Sequence, residues 1–175
     1  SSDLRILDFI SEDRKEKSLR YKFEDDILRS LGSGYFLAKY VSKDISYNKY
    51  GKPYNDLVKF NISHSGNYVV FARYNNDIGL DIEKISHRDE KIINYSMNDD
   101  EIKNIKSDID FYIYWTKKEA IVKYLGYTLA DIKNIINKND DIKTTTSFFN
   151  DYVISVAYKS KTYEDIDLII EEINI

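Results

Sequence analysis

One pattern occurs twice in this chain, 84 positions apart, and it restricts the available folds more than any other feature. Asn67-Tyr68-Val69-Val70-Phe71-Ala72-Arg73-Tyr74 is echoed by Asp151-Tyr152-Val153-Ile154-Ser155-Val156-Ala157-Tyr158. The same offset carries the helical pattern of residues 24–41 onto residues 108–125. A helix followed by strands, repeated at a fixed interval, marks a duplicated supersecondary unit. The expectation is an α+β fold of two similar lobes in a pseudo-two-fold arrangement. Each lobe is a helix packed on a small, mainly antiparallel sheet. The N-terminal lobe covers residues 1–77 and the C-terminal lobe 78–175. A ligand is expected in the crease between them.

Apolar periodicity predicts helices over residues 11–17, 24–42, 89–95, 99–106 and 111–125, the last stopped by Gly126. Strands are predicted at 58–62, 68–74, 78–83, 142–146, 148–149, 152–159 and 167–173. Asn75-Asn76-Asp77 reads as a turn, and Ser63 and His64 as part of a loop between two strands.

Ile78-Gly79-Leu80-Asp81-Ile82-Glu83-Lys84 carries the chemistry. Residues two apart share a face of a strand. Asp81 and Glu83 therefore point one way, while Leu80 and Ile82 point into a core. Two carboxylates on one side of a buried strand repel each other and resist desolvation, unless a cation sits between them. Oxygen ligands with no cysteine or histidine cluster nearby favour Mg²⁺ over a transition metal. Trp115-Thr116-Lys117-Lys118-Glu119-Ala120-Ile121-Val122-Lys123 adds a third carboxylate, Glu119, with Lys123 one helical turn later. Carboxylate-held metal beside a lysine is equipment for handling phosphate.

Composition narrows the classes further. With 42% hydrophobic and 32% charged residues, the 175-residue chain reads as soluble and globular. A net charge of −4 argues against a general nucleic-acid binder. The absence of cysteine excludes a disulfide framework and any thiolate site. No apolar run approaches the roughly 20 residues needed to cross a bilayer, and no signal-peptide pattern opens the chain, so no membrane and a cytoplasmic location are expected. Arg14-Lys15-Glu16-Lys17 and Arg20-Tyr21-Lys22 form a basic cluster that reads either as a solvated helix face or as an anion site. His87 reads as structural or merely exposed.

Four segments occur in a telling order: Gly51-Lys52-Pro53, Phe60-Asn61-Ile62-Ser63-His64-Ser65-Gly66, Gly79-Leu80-Asp81-Ile82-Glu83 and Trp115-Thr116-Lys117-Lys118-Glu119-Ala120. Together they resemble the signature motifs of the 4′-phosphopantetheinyl transferases, in particular the long, monomeric, surfactin-synthetase-activating type. The resemblance runs from about residue 11 to about residue 158. It implies a duplicated fold and a transferase that moves the 4′-phosphopantetheine arm of coenzyme A onto a serine of an apo acyl or peptidyl carrier protein. The by-product is adenosine 3′,5′-bisphosphate. By motif position, Asp81, Glu83 and Glu119 match the metal-binding acids for Mg²⁺, with Glu119 ligand first and general base second. Lys123 matches a pyrophosphate contact, His64 a coenzyme A phosphate contact, and Ser63 a neighbouring phosphate or backbone contact. Lys52 and Pro53, the chain's only proline, match the segment around the adenine and 3′-phosphate. Arg14 and Lys17 align with basic residues that meet the coenzyme's phosphates, and Ser30 with a small hydroxyl residue.

Two departures stand out. The family carries an extra strand before the first helix, so a smaller first lobe or a trimmed start is expected. The Gly-Leu pair that often follows the position of Lys123 is replaced by Tyr124-Leu125-Gly126-Tyr127 near the expected carrier surface, which makes partner preference the least transferable inference. The competing reading is a coenzyme A-binding module without transfer activity; the acid trio and Lys123 weigh against it.

Overall fold

The computed structural model describes residues 5–42, 45–49, 51–139 and 141–159. Two short helices, α1 (Arg5–Phe9) and α2 (Glu12–Leu19), lead into the long α3 (Glu24–Tyr40). The two-residue strands β1 (Ser46–Tyr47) and β2 (Pro53–Tyr54) pair around a tight loop, followed by the hairpin β3 (Lys59–Ser65) and β4 (Tyr68–Tyr74) and then β5 (Ile78–Lys84). Helices α4 (Glu90–Ser96), α5 (Asp99–Asn104) and α6 (Asp108–Leu125) come next. A 3₁₀ turn (Leu129–Asn134) precedes the hairpin β6 (Lys143–Phe149) and β7 (Tyr152–Tyr158).

Local chemistry sets these limits. Glu24, Asp25 and Asp26 crowd the first turn of α3, where the helix dipole favours negative charge. Ser107 and Asp110 form a capping box at the start of α6, and Gly126 ends it with φ +69°. The signal Ser-x-x-Asp moves the helix start from the expected 111 back to Asp108. Gly66 and Asn150 open the two hairpin turns with φ +52° and +51°, and they too stand 84 positions apart. So do β3 and β6, and β4 and β7, at both of their ends.

The sheets are antiparallel: β3 with β4, and β5-β7-β6 with β7 in the centre. Ile78, Leu80 and Ile82 of β5 join Tyr152, Ile154, Val156 and Tyr158 of β7 in one core, as the alternation required. Tyr68, Val70, Ala72 and Tyr74 of β4 pack on that same core. The opposite face of the β3–β4 hairpin receives α3, where Phe71 stacks on Phe36 and Tyr40 at 5.8 and 5.5 Å between ring centres. Helix α6 lies against β5 and β7, with Thr116 and Ser155 hydroxyls 2.7 Å apart.

Several expectations need correction. Ser63 and His64 belong to β3, not to a loop, because the turn takes only Gly66 and Asn67 and the ladder runs on to Ser65. The runs 142–146 and 148–149 are a single strand, β6, and α5 stops at Asn104 instead of reaching 106. The β1–β2 ladder and the 3₁₀ turn had no sequence counterpart. The strand expected at 167–173 lies outside the described residues. Among the described residues, no helix is long and apolar enough to cross a membrane.

Candidate active site

Gly79 is the reason strand and helix come close. A Cβ built there would lie 1.9 Å from the Ala120 carbonyl oxygen, so β5 can touch the α6 backbone only through glycine. That contact brings Asp81, two residues along β5, beside Glu119 and Lys123 of α6. Asp81 is 1% exposed. Its Oδ1 accepts from Lys123 Nζ at 2.5 Å and from Ser63 Oγ at 2.9 Å. Its Oδ2 is buried without any hydrogen-bond partner. Such an orphan is costly and leaves an acceptor open to an ion or a water. Glu119 Oε2 stands 3.8 Å from the same ammonium.

On β3, Asn61, Ser63 and Ser65 line one face and meet the open edge of β5 with side chains instead of backbone. Asn61 Oδ1 accepts from the Leu80 N–H at 3.3 Å, and Ser65 Oγ accepts from the Lys84 N–H at 3.1 Å. Ser65 Oγ also donates to Glu83 Oε2 at 2.8 Å. The seam between the sheets is therefore polar, and Glu83 is turned along it.

Electrostatics bear the mark of three acids kept close together. Burial pushes the Asp81 carboxyl above its usual range, opposed by Lys123 and Ser63. Burial also raises Glu83, with the Asp81 charge adding to it. Glu119 is pushed up to about 8, by burial first and then by Asp81 and Glu83, against Lys123. Among the described residues, no three Asp, Glu, His or Cys side chains already stand as a metal cage. The hard oxygen donors, the orphaned Oδ2 and the mutual destabilisation nonetheless fit a divalent cation.

Lys52 reaches the same place from the β1–β2 loop. Its ammonium donates to the Lys123 carbonyl, and burial lowers its pKa. Asn48 holds the loop by accepting the Lys52 N–H at 2.9 Å. A cavity of about 260 Å³ opens here, lined by Asn48, Lys52, Pro53, Asn61, Lys123 and Tyr127 among others.

The remaining candidates lie around this centre. His64 faces away from Ser63 on β3; partial desolvation, then the charges of Arg29 and Lys123, hold its imidazole below the ordinary value. Ser30 takes a hydrogen bond from Ser18 Oγ at 2.8 Å, and its carbonyl accepts from Arg14 at 3.1 and 3.3 Å, which fastens α2 to α3. Arg14 also reaches the Tyr47 hydroxyl, and Lys17 Nζ sits 5.1 Å from the Tyr47 ring centre. Both basic side chains line a second cavity of about 420 Å³.

Sequence reasoning gave no role to Lys118. It is wholly buried, and its ammonium donates to the Ser96 carbonyl at 2.7 Å, to Glu101 Oε2 at 2.5 Å and to the Lys133 carbonyl at 2.8 Å. All three donors are used, so the residue ties α6 to the ends of α4, α5 and the 3₁₀ turn. Ser65 was missed as well, although polar residues alternating at 61, 63 and 65 in an apolar run were the visible signal.

A sequence profile of the 4′-phosphopantetheinyl transferase superfamily matches residues 77–168. The chain is 32% identical over 133 residues to the 4′-phosphopantetheinyl transferase gsp of Aneurinibacillus migulanus, covering 67% of this chain and 56% of that protein. It is 31% identical over 144 residues to the 4′-phosphopantetheinyl transferases ffp of Bacillus subtilis and Sfp of Bacillus subtilis (strain 168), covering 72% of this chain and 64% of each of them. The chain thus spans less than two thirds of the length of these relatives.

Proposed function

Because the chain belongs to the 4′-phosphopantetheinyl transferase superfamily, we propose that it transfers the 4′-phosphopantetheine arm of coenzyme A to a serine hydroxyl of an apo acyl or peptidyl carrier protein, releasing adenosine 3′,5′-bisphosphate. The observation that carries this reading is Asp81, a buried carboxylate with one oxygen on Lys123 and the other left without a partner.

Asp81, Glu83 and Glu119 would hold Mg²⁺, which when bound draws charge from the pyrophosphate under attack. Lys123 brings positive charge to the cavity beside Asp81 and orients the diphosphate there, while Lys52 on the wall of that cavity meets the 3′-phosphate end of the coenzyme. Glu119 serves as a metal ligand first and, from that position, as acceptor of the serine proton second. Arg14 and Lys17 supply further cations for the coenzyme's phosphates, and His64, its pKa held below the ordinary value, contributes a hydrogen bond to them. The 84-residue recurrence of α3-β3-β4 as α6-β6-β7 supports two lobes, 1–77 and 78–175, related by a pseudo-two-fold axis within a self-sufficient monomer.

The test mixes the protein, Mg²⁺, coenzyme A and a panel of apo carriers, and follows carrier mass. Gain of the phosphopantetheine mass is expected. No gain on any carrier, with coenzyme A still bound in a thermal-shift assay, would leave only a binding module.

A further inference from the structure

The ammonium of Lys123 sits where the proposed cation needs room. It is 2.5 Å from Asp81 Oδ1, 2.8 Å from Ser63 Oγ and 3.8 Å from Glu119 Oε2. It therefore lies between two of the three carboxylates that must converge on one ion. Bringing Asp81 and Glu119 to a shared divalent cation at about 2.0–2.1 Å leaves no space for a second positive group between them. We propose that Lys123 is the resident counter-cation of the metal-free protein, and that its ammonium and a divalent cation hold Asp81 in alternation. This rests on the metal-site reading above and adds a consequence to it: loading the cation releases Lys123 toward the diphosphate.

The structure supplies both a means of release and a destination. The helix end is pinned independently of the side chain. Lys52 holds the Lys123 carbonyl, and the Val122 carbonyl accepts from the N–H groups of Gly126 and Tyr127. Rotation of the Lys123 side chain, 29% exposed, needs no movement of α6. The 260 Å³ cavity that Lys123 itself lines lies beside it, with Lys52 on the wall. A phosphate there would receive the freed ammonium. Cation and diphosphate should then favour each other's binding, because the first ligand removes the partner that keeps Lys123 from the second.

Mn²⁺ binding to the full chain without coenzyme A, read by electron paramagnetic resonance of the free ion, tests this. Lys123→Met should bind Mn²⁺ at least tenfold tighter than the unmodified chain, and Lys123→Arg should stay within about twofold of it. Coenzyme A should raise Mn²⁺ affinity more in the unmodified chain than in Lys123→Met. Equal or weaker Mn²⁺ binding by Lys123→Met, with Asp81→Asn abolishing it, overturns the alternation and leaves the metal site standing. No Mn²⁺ binding by any form, with or without coenzyme A, removes the metal site and the alternation together. A measurement free of any variant uses the ¹⁵N signal of the lysine ammonium. Hydrogen-bonded Lys123 should give a slowly exchanging resonance that Mg²⁺ collapses, and its persistence at saturating Mg²⁺ also overturns the alternation.

Discussion

Two stretches of nearly the same pattern, β4 and β7, end up in different surroundings. Every residue of β7 is buried, whereas none of β4 is fully buried. Strand β7 has a ladder partner on each side and α6 against it; β4 has one ladder partner, β3. The half with more cover also holds the acids, on β5 and α6. The less covered half supplies Ser63 and His64 from β3, and Lys52, Arg14 and Lys17 from the segments before it. Burial is what makes the difference chemical: carboxylates need desolvation to bind a cation strongly, while cations that recognise phosphate work from a more open wall.

The largest expected effect lies on the acidic side. Glu119→Gln should lower kcat by about two to four orders of magnitude while leaving coenzyme A affinity nearly intact, as judged by steady-state kinetics and calorimetry. Near-normal turnover would remove Glu119 from the chemistry. Next in size is a matched pair at echoed positions. Ile154→Ala on β7 should cost about 2–5 kcal/mol in urea unfolding, and Val70→Ala on β4 less than half as much. Equal losses would break the contrast in burial.

A smaller effect concerns pH. The Glu119 carboxyl titrates near 4.5 when unfolded and near 8 in the fold, so between these values the folded chain holds more protons. Stability of the metal-free chain should therefore fall as pH rises through that window, and Glu119→Gln should flatten the decline. A profile of melting temperature against pH checks the sign; a rise over the same interval contradicts it. The smallest effect belongs to the open wall. Lys52→Ala should raise KM for coenzyme A several-fold and less for 3′-dephospho-coenzyme A. Identical losses on both substrates would separate Lys52 from the 3′-phosphate.

Much of this organisation was visible along the chain. Period-two alternation placed Leu80 and Ile82 inside and set Asp81 and Glu83 on the other face. The 84-residue echo anticipated the recurrence of helix and strand, and the structure extends it to the turn residues Gly66 and Asn150. The capping signals at Asn98 and Ser107 were legible too, and passing over the second misplaced a helix start by a turn. Ser65 was signalled by the polar alternation at 61, 63 and 65, whereas Lys118 was not recognisable as a structural residue. A buried lysine looks like any other charged residue until Glu101, Ser96 and Lys133 are known to converge on it.

Sequence alone determined most of the helices and strands, their recurrence and the set of candidate residues for phosphate chemistry, because periodicity, caps and motif order are read from near neighbours. Only the tertiary structure decided that Ser63, Asp81, Glu119 and Lys123 meet, that one Asp81 oxygen is left without a partner, and that Lys52 closes on the end of α6. Those meetings span up to 71 positions. They depend on how far a helix can sink onto a strand, which the missing side chain of Gly79 sets.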